Sequence, residues 1–188
     1  TPVLGAVGEI MLGSYTLPPD HPDAKIVADL HEQAVTVLGL IDGVTHLEIL
    51  KCPRGYLVGE ITCRPGGNGV PEQIRHQYGV DFWRSFLATS MGEDAGIATP
   101  PSARPGHLIN FMLPRPVGTV TAITSAADLL ALPGVEHAEV RTRVGDTTPA
   151  PLDSSVTAGT VLMRVDSEDE VPAGVARLAG RFRVEVAP

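Results

Sequence analysis

The spacing of apolar residues divides the chain into short strands and short amphipathic helices. Val3 to Tyr15 is strand-like, broken by glycines and ended by Pro18-Pro19. From Asp23 the apolar positions change to a helical period, Ile26, Leu30, Ala34, Val37 and Leu38, closed by Gly39. Two strand-like runs follow, Val44 to Leu50 and Tyr56 to Arg64, and the turn residues Pro53-Arg54-Gly55 between them predict a hairpin. A glycine-rich loop, Gly66-Gly67-Asn68-Gly69, leads into helical stretches at Pro71 to Gln77 and from Asp81 to Gly92. The second of these places Phe82, Trp83, Phe86 and Leu87 on adjacent faces.

From Glu93 to Gly106 the composition turns to Gly, Ala, Ser and Pro without periodicity, which predicts a boundary. Beyond it the pattern predicts strands at His107 to Leu113, Gly118 to Thr124, Val135 to Arg143, Thr157 to Val165 and Arg181 to Val186. One short helix is capped by Ser125 with Asp128 in the box position, and another begins with Ser167-x-x-Glu170. The expected architecture is therefore α+β in two parts, residues 1–95 and 106–188, with no internal repeat.

Composition narrows the function. The 188 residues are 43% hydrophobic and 19% charged, with a formal net charge of −8, which suits a globular domain and argues against a nucleic-acid binder. Lys25 and Lys51 are the two lysines; the other basic residues are scattered arginines. No apolar run reaches the roughly 18 residues of a membrane span. Cys52 and Cys63 lack metal-type spacing and read as free thiols of a cytoplasmic protein.

The chemistry concentrates in the hairpin. Side chains alternate faces along a strand, so His46 and Glu48 share one face, and Glu60, Thr62 and Arg64 share another. Pairing the strands about a turn centred near Arg54 sets Cys52 opposite Tyr56, Glu48 opposite Glu60 and His46 opposite Thr62. Leu47, Ile49, Ile61 and Cys63 then lie on the other face. Two directly opposed carboxylates destabilise a sheet, and a hard divalent cation such as Mg²⁺ is the simplest reason to keep them. Arg64 would add a planar cation for a phosphate or carboxylate, and the amides of Gly66 to Gly69 before a helix start form an anion cradle. The alternatives are a solvated strand face, a hydrogen-bonded strand histidine, a plain turn, and aromatic residues around Trp83 that are simply core.

The stretch Gly43-Val-Thr-His46-Leu-Glu48, followed by Gly59-Glu60-Ile-Thr62-Cys-Arg64-Pro-Gly66-Gly67, resembles the carboxylate–amine ligase branch of the ATP-grasp family. The resemblance covers roughly residues 1–95, and 107–188 are similar, on weaker grounds, to the small C-terminal domain of such ligases. It implies the C-terminal half of an ATP-grasp domain, an antiparallel sheet with helices, followed by a small α+β domain. It implies a ligase using ATP and Mg²⁺ to phosphorylate a carboxylate, by default an amino acid or peptide, before an amine displaces the phosphate. Glu48, Glu60 and Thr62 would bind the metal and its nucleotide, with His46 orienting them. Arg64 would be catalytic and would bind substrate together with Gly66, Gly67 and Asn68. Thr62 departs from the family pattern, which carries asparagine there.

The lysines and flexible loop of the nucleotide lobe have no counterpart in this sequence. The expectation is thus a C-terminal part of a longer ligase, or one half of a split system, with that lobe as partner and a homodimer also open. The faces of Val3 to Leu12 and Phe82 to Met91 would carry exposed apolar surface for docking. A non-catalytic binding module that kept the fold is the main alternative, and an unrelated interaction domain with a chance motif is the other.

Overall fold

A computed structural model describes residues 3–7, 10–97, 102–148 and 157–187. The elements in order are β1 (Val3–Val7), β2 (Ile10–Tyr15), α1 (Pro22–Val37), β3 (His46–Cys52), β4 (Gly55–Thr62), α2 (Val70–Tyr78) and α3 (Phe82–Ser90). They continue with β5 (His107–Pro114), β6 (Gly118–Ile123), α4 (Ala126–Leu130), β7 (Val135–Val140), β8 (Thr147–Thr148) and β9 (Thr157–Val165). A 3₁₀ turn at Glu168–Glu170 then runs into α5 (Val171–Arg181), and β10 (Val184–Ala187) follows. This is an α+β chain with antiparallel pairing throughout its described ladders. No helix among the described residues is long and apolar enough to cross a membrane.

The chain forms two compact units, residues 17–104 and residues 1–16 with 105–188. The second unit is built on a five-stranded sheet in the order β1-β2-β5-β9-β7. Strands β1 and β2 precede the helix and hairpin in sequence and were expected beside them; here β1 pairs with β2, and β2 pairs with β5 through Gly13↔Phe111 and Tyr15↔Ile109. Local apolar content marks a strand but not its partner, and this partner lies about a hundred residues away.

The core of this unit follows the two-residue period of the central strands. Ile109, Phe111 and Leu113 of β5 and Val161, Met163 and Val165 of β9 are buried in one cluster with Leu129 of α4 and Leu178 of α5. Helix α5 lies close on the sheet because Gly174 has no side chain; a Cβ there would come 2.7 Å from Cδ1 of Ile109. A three-stranded sheet, β10-β6-β8, completes the unit; β8, only two residues long, gave no sequence signal.

Both expected helix caps are informative. Ser125 Oγ accepts from the Asp128 amide at 3.2 Å and donates to its carboxylate at 2.7 Å, and this bonding holds the Asp128 carboxyl below its ordinary range. Ser167 makes no side-chain cap. Glu170 Oε2 accepts from the Asp166 amide instead, because a 3₁₀ turn intervenes before α5.

The unit of residues 17–104 buries much less. Helix α1 has no buried residue, and among the described residues of the unit Val44 is the buried aliphatic side chain, in addition to the buried prolines Pro65 and Pro71. Trp83, Leu87 and Met91, spaced four apart along α3 and its end, are 49%, 59% and 67% exposed, a continuous apolar stripe on the face expected to be open. The side chains of Val3 to Leu12, the other expected face, lie outside the described residues.

Candidate functional site

The hairpin β3–β4 carries the register on which the site depends. Glu48 pairs with Glu60 and His46 with Thr62, as the face alternation predicts. Nearer the turn the expected pairing differs by one: Cys52 lies opposite Gly55, and Lys51 opposite Tyr56. The connection is the two-residue turn Pro53-Arg54, tighter than a three-residue turn about Arg54. A bulge between Glu48 and Ile49, where the opposite strand passes from Glu60 to Val58, absorbs the difference and leaves Gly59 as the extra residue. A two-residue turn continued without a bulge would set Glu48 opposite Gly59 and turn Glu60 to the other face.

The polar face is continuous. His46 Nε2 stands 3.5 Å from Glu48 Oε1, and both glutamates are exposed. Thr62 Oγ1 is buried and has no hydrogen-bond partner among the described residues, a cost that a bound group could remove. Behind the histidine lies the glycine loop. A Cβ on Gly66 would fall 2.8 Å from His46 Nδ1, so only glycine lets the loop reach the ring.

The loop reaches the site in a different way from that expected. Strand β4 ends at Thr62, so Arg64 follows the strand on a bend instead of extending its face. Its Nη1 donates to the carbonyl of Pro65 at 2.9 Å. Pro65 and Gly66 are buried, while Gly67 and Asn68 are exposed. Asn68 and Gly69 both hold positive φ, 54° and 79°, which folds the loop into the start of α2. Gly69 is the N-cap, no side chain caps the helix, and Pro71 in its first turn has no N–H to satisfy. Gly67 O accepts from the Val70 amide at 3.2 Å, and Gly69 O from Gln73 at 2.9 Å. An uncapped, glycine-bounded helix start beside the carboxylate face suits an anion.

Two contacts fix the hairpin against α1, and the sequence pattern had flagged neither. His31 Nε2 and Thr45 Oγ1 are 2.7 Å apart at the entry to β3. At the far end Asp23, in the first turn of α1, accepts from Tyr56 Oη at 2.5 Å and from Lys51 Nζ at 2.7 Å. The ammonium also lies 5.6 Å from the Tyr56 ring centre. Hydrogen bonds from Lys51 and then Tyr56 hold the Asp23 carboxyl below its ordinary value, and the same contacts raise Lys51. Lys51 and Tyr56 are direct cross-strand neighbours, so this pair becomes legible once the turn is read as two residues.

The donor set tests a Mg²⁺ site. Among the described residues no group of three or more His, Cys, Asp or Glu is placed to hold a metal. Glu48 and Glu60 supply two carboxylates, which fits a Mg²⁺ that arrives already carrying phosphate oxygens and water, and not a protein-only cage.

Residues 110–187 match the family described as L-amino acid ligase C-terminal domain 2. The chain is 28% identical over 171 residues to the L-arginine-specific L-amino acid ligase of Bacillus subtilis, covering 90% of this chain and 41% of that protein. Among solved structures, the L-amino acid ligase from Bacillus licheniformis superposes with a TM-score of 0.77 at 18% identity, over 95% of this chain and 44% of the other. Phosphoribosylglycinamide synthetase from Anaerococcus prevotii gives 0.72 at 15% identity, over 99% and 48%. The chain thus spans less than half the length of these relatives.

Proposed function

We propose that this chain is the C-terminal portion of an ATP-grasp ligase and supplies the metal- and substrate-facing hairpin of an enzyme that joins an amino acid carboxylate to an amine; the ligase relatives and the L-amino acid ligase domain match over residues 110–187 support the reading. The observation that carries the reading is the direct opposition of Glu48 and Glu60 on the face shared by His46 and Thr62.

Glu48 and Glu60 would hold Mg²⁺, and that ion would neutralise charge on a transferring phosphoryl group. His46, 3.5 Å from Glu48, orients that carboxylate. The unpartnered Thr62 hydroxyl reaches a water or phosphate oxygen at the same face. Arg64 keeps guanidinium N–H groups beyond the one given to Pro65, and they stabilise the acyl phosphate or the tetrahedral intermediate that follows. The amides of Gly66, Gly67 and Asn68 bind the acceptor carboxylate at the uncapped helix start. A need for ATP would fit a cytoplasmic protein.

The test is amino acid-dependent release of phosphate from ATP by the full-length gene product. Glu60→Gln is expected to lower the rate at least about 100-fold, the scale of losing one preorganised electrostatic contact. Turnover unchanged by Glu60→Gln would overturn the reading. A second reading, a binding module without catalysis, is favoured by the hydroxyl of Thr62 where the resembling ligases carry an amide. Saturable amino acid binding without ATP turnover would select it.

A further inference from the structure

A cleft of about 410 Å³ lies wholly within the unit of residues 105–188, between the turn before β7, the end of β9 and the start of α5. Its floor is neutral. Arg164 Nε donates to Glu136 Oε1 at 2.6 Å, Nη2 to Oε2 at 3.3 Å, and both side chains are largely shielded. Arg164 Nη1 is also occupied, by Pro105 O at 2.9 Å. Gly134 brings the wall in: at φ +83°, a Cβ there would meet Arg164 O at 2.6 Å. The other charges of the cleft differ from this satisfied floor.

Arg177 donates to the sulfur of Met163 at 3.5 Å, a weak acceptor. Among the described residues no carboxylate pairs with it, although Asp166 and Glu170 line the same cleft. Glu170 uses one oxygen on the Asp166 amide at 3.3 Å and keeps the other. The Asp166 carboxylate has no partner among the described residues. One guanidinium and two carboxylates therefore face a shared space without neutralising one another. A cleft of this size takes one small molecule with a few fixed polar contacts.

We propose that this cleft binds a small zwitterion of the α-amino acid class, with its carboxylate on Arg177 and its ammonium on Asp166 and Glu170. Counting the floor pair as neutral, the cleft carries one positive and two negative charges, so a simple anion is disfavoured and a molecule carrying both charges is matched. The planar guanidinium suits a carboxylate bidentately. The site is independent of the hairpin, and its occupancy does not require nucleotide.

The experiment is a titration of the whole chain with L-alanine, followed by amide chemical shifts, with acetate and ethylamine as separate half-ligands. L-alanine is expected to give saturable shifts at Gly134, Val135, Asp166 and Arg177 with a dissociation constant in the millimolar range, and each half-ligand to bind at least about tenfold more weakly. Arg177→Gln and Asp166→Asn, both exposed and shape-conserving, are each expected to weaken L-alanine at least about tenfold, the scale of one charge-assisted hydrogen bond. Absence of saturable shifts at these residues up to roughly 50 mM ligand, or binding indifferent to both variants, would overturn the proposal. Shifts confined to Gly66–Asn68 would also overturn it, while leaving the hairpin reading intact.

Discussion

Gly66 and His46 touch across the candidate site, with room for a hydrogen and no room for a methyl group. Gly66→Ala puts a carbon 2.8 Å from the imidazole, which must turn away from its place 3.5 Å from Glu48. The expected cost is about 1–3 kcal/mol, the usual range for overpacking. Urea denaturation of the variant measures it, and unchanged stability would mean that the loop moves freely against the ring.

Replacing one opposed glutamate separates stability from function. Glu60→Gln removes a like-charge cross-strand pair, so the metal-free chain is expected to gain roughly 0.2–1 kcal/mol. The same change removes a carboxylate from the proposed Mg²⁺ site. Thermal unfolding should rise slightly while Mg²⁺-dependent binding of a non-hydrolysable ATP analogue falls. A loss of both would indicate that the carboxylate is held by contacts within the hairpin.

Thr62→Val tests the orphaned hydroxyl. A buried oxygen without a partner costs about 1–3 kcal/mol, and valine has the same shape without it. The ligand-free chain should become more stable by about 1 kcal/mol. If stability falls instead, Thr62 Oγ1 is satisfied by water in solution.

The Asp23 clamp predicts a pH dependence with a definite sign. The Asp23 carboxyl titrates below its unfolded value of 3.8, so its contribution is complete above that value and fades as pH falls through the lower folded one. Lys51 is shifted upward from 10.5, so its contribution is complete below that value and is lost as pH rises through the higher folded one. Asp23→Asn should flatten the stability profile at both extremes. Denaturation at a series of pH values reads this out, and parallel profiles for the two proteins would show that the contact does not persist in solution.

Much of this was legible in the sequence, for identifiable reasons. The opposition of Glu48 to Glu60 and of His46 to Thr62 follows from a two-residue period and one assumption about the turn. That assumption failed near Cys52, because nothing in Pro53-Arg54-Gly55 distinguishes a two-residue turn with a later bulge from a longer turn. Apolar alternation persists to Cys63 and so predicts a strand face for Arg64, whereas the backbone bends at Cys63-Arg64, just before Pro65, which donates no hydrogen bond. Contacts such as Asp23 with Tyr56, or β2 with β5, join residues far apart in the chain, and local periodicity carries no information about them. The cleft at Arg177 was invisible for the same reason.

The bulge at Gly59 makes the hairpin sensitive to parity. Its tight turn and its Glu48–Glu60 pairing count residues differently, and one surplus glycine reconciles the two counts. A one-residue deletion elsewhere in β4 between Tyr56 and Gly59 that ironed out the bulge would be tolerated, because Glu48 and Glu60 would still meet. A one-residue insertion at Pro53-Arg54 would leave Glu48 opposite Glu60 as long as Cys52 still faced Gly55 and the bulge was kept. Homologous hairpins can therefore exchange turn length for bulge while keeping their carboxylates in phase, and an alignment that slides gaps freely through this stretch would misassign the second glutamate.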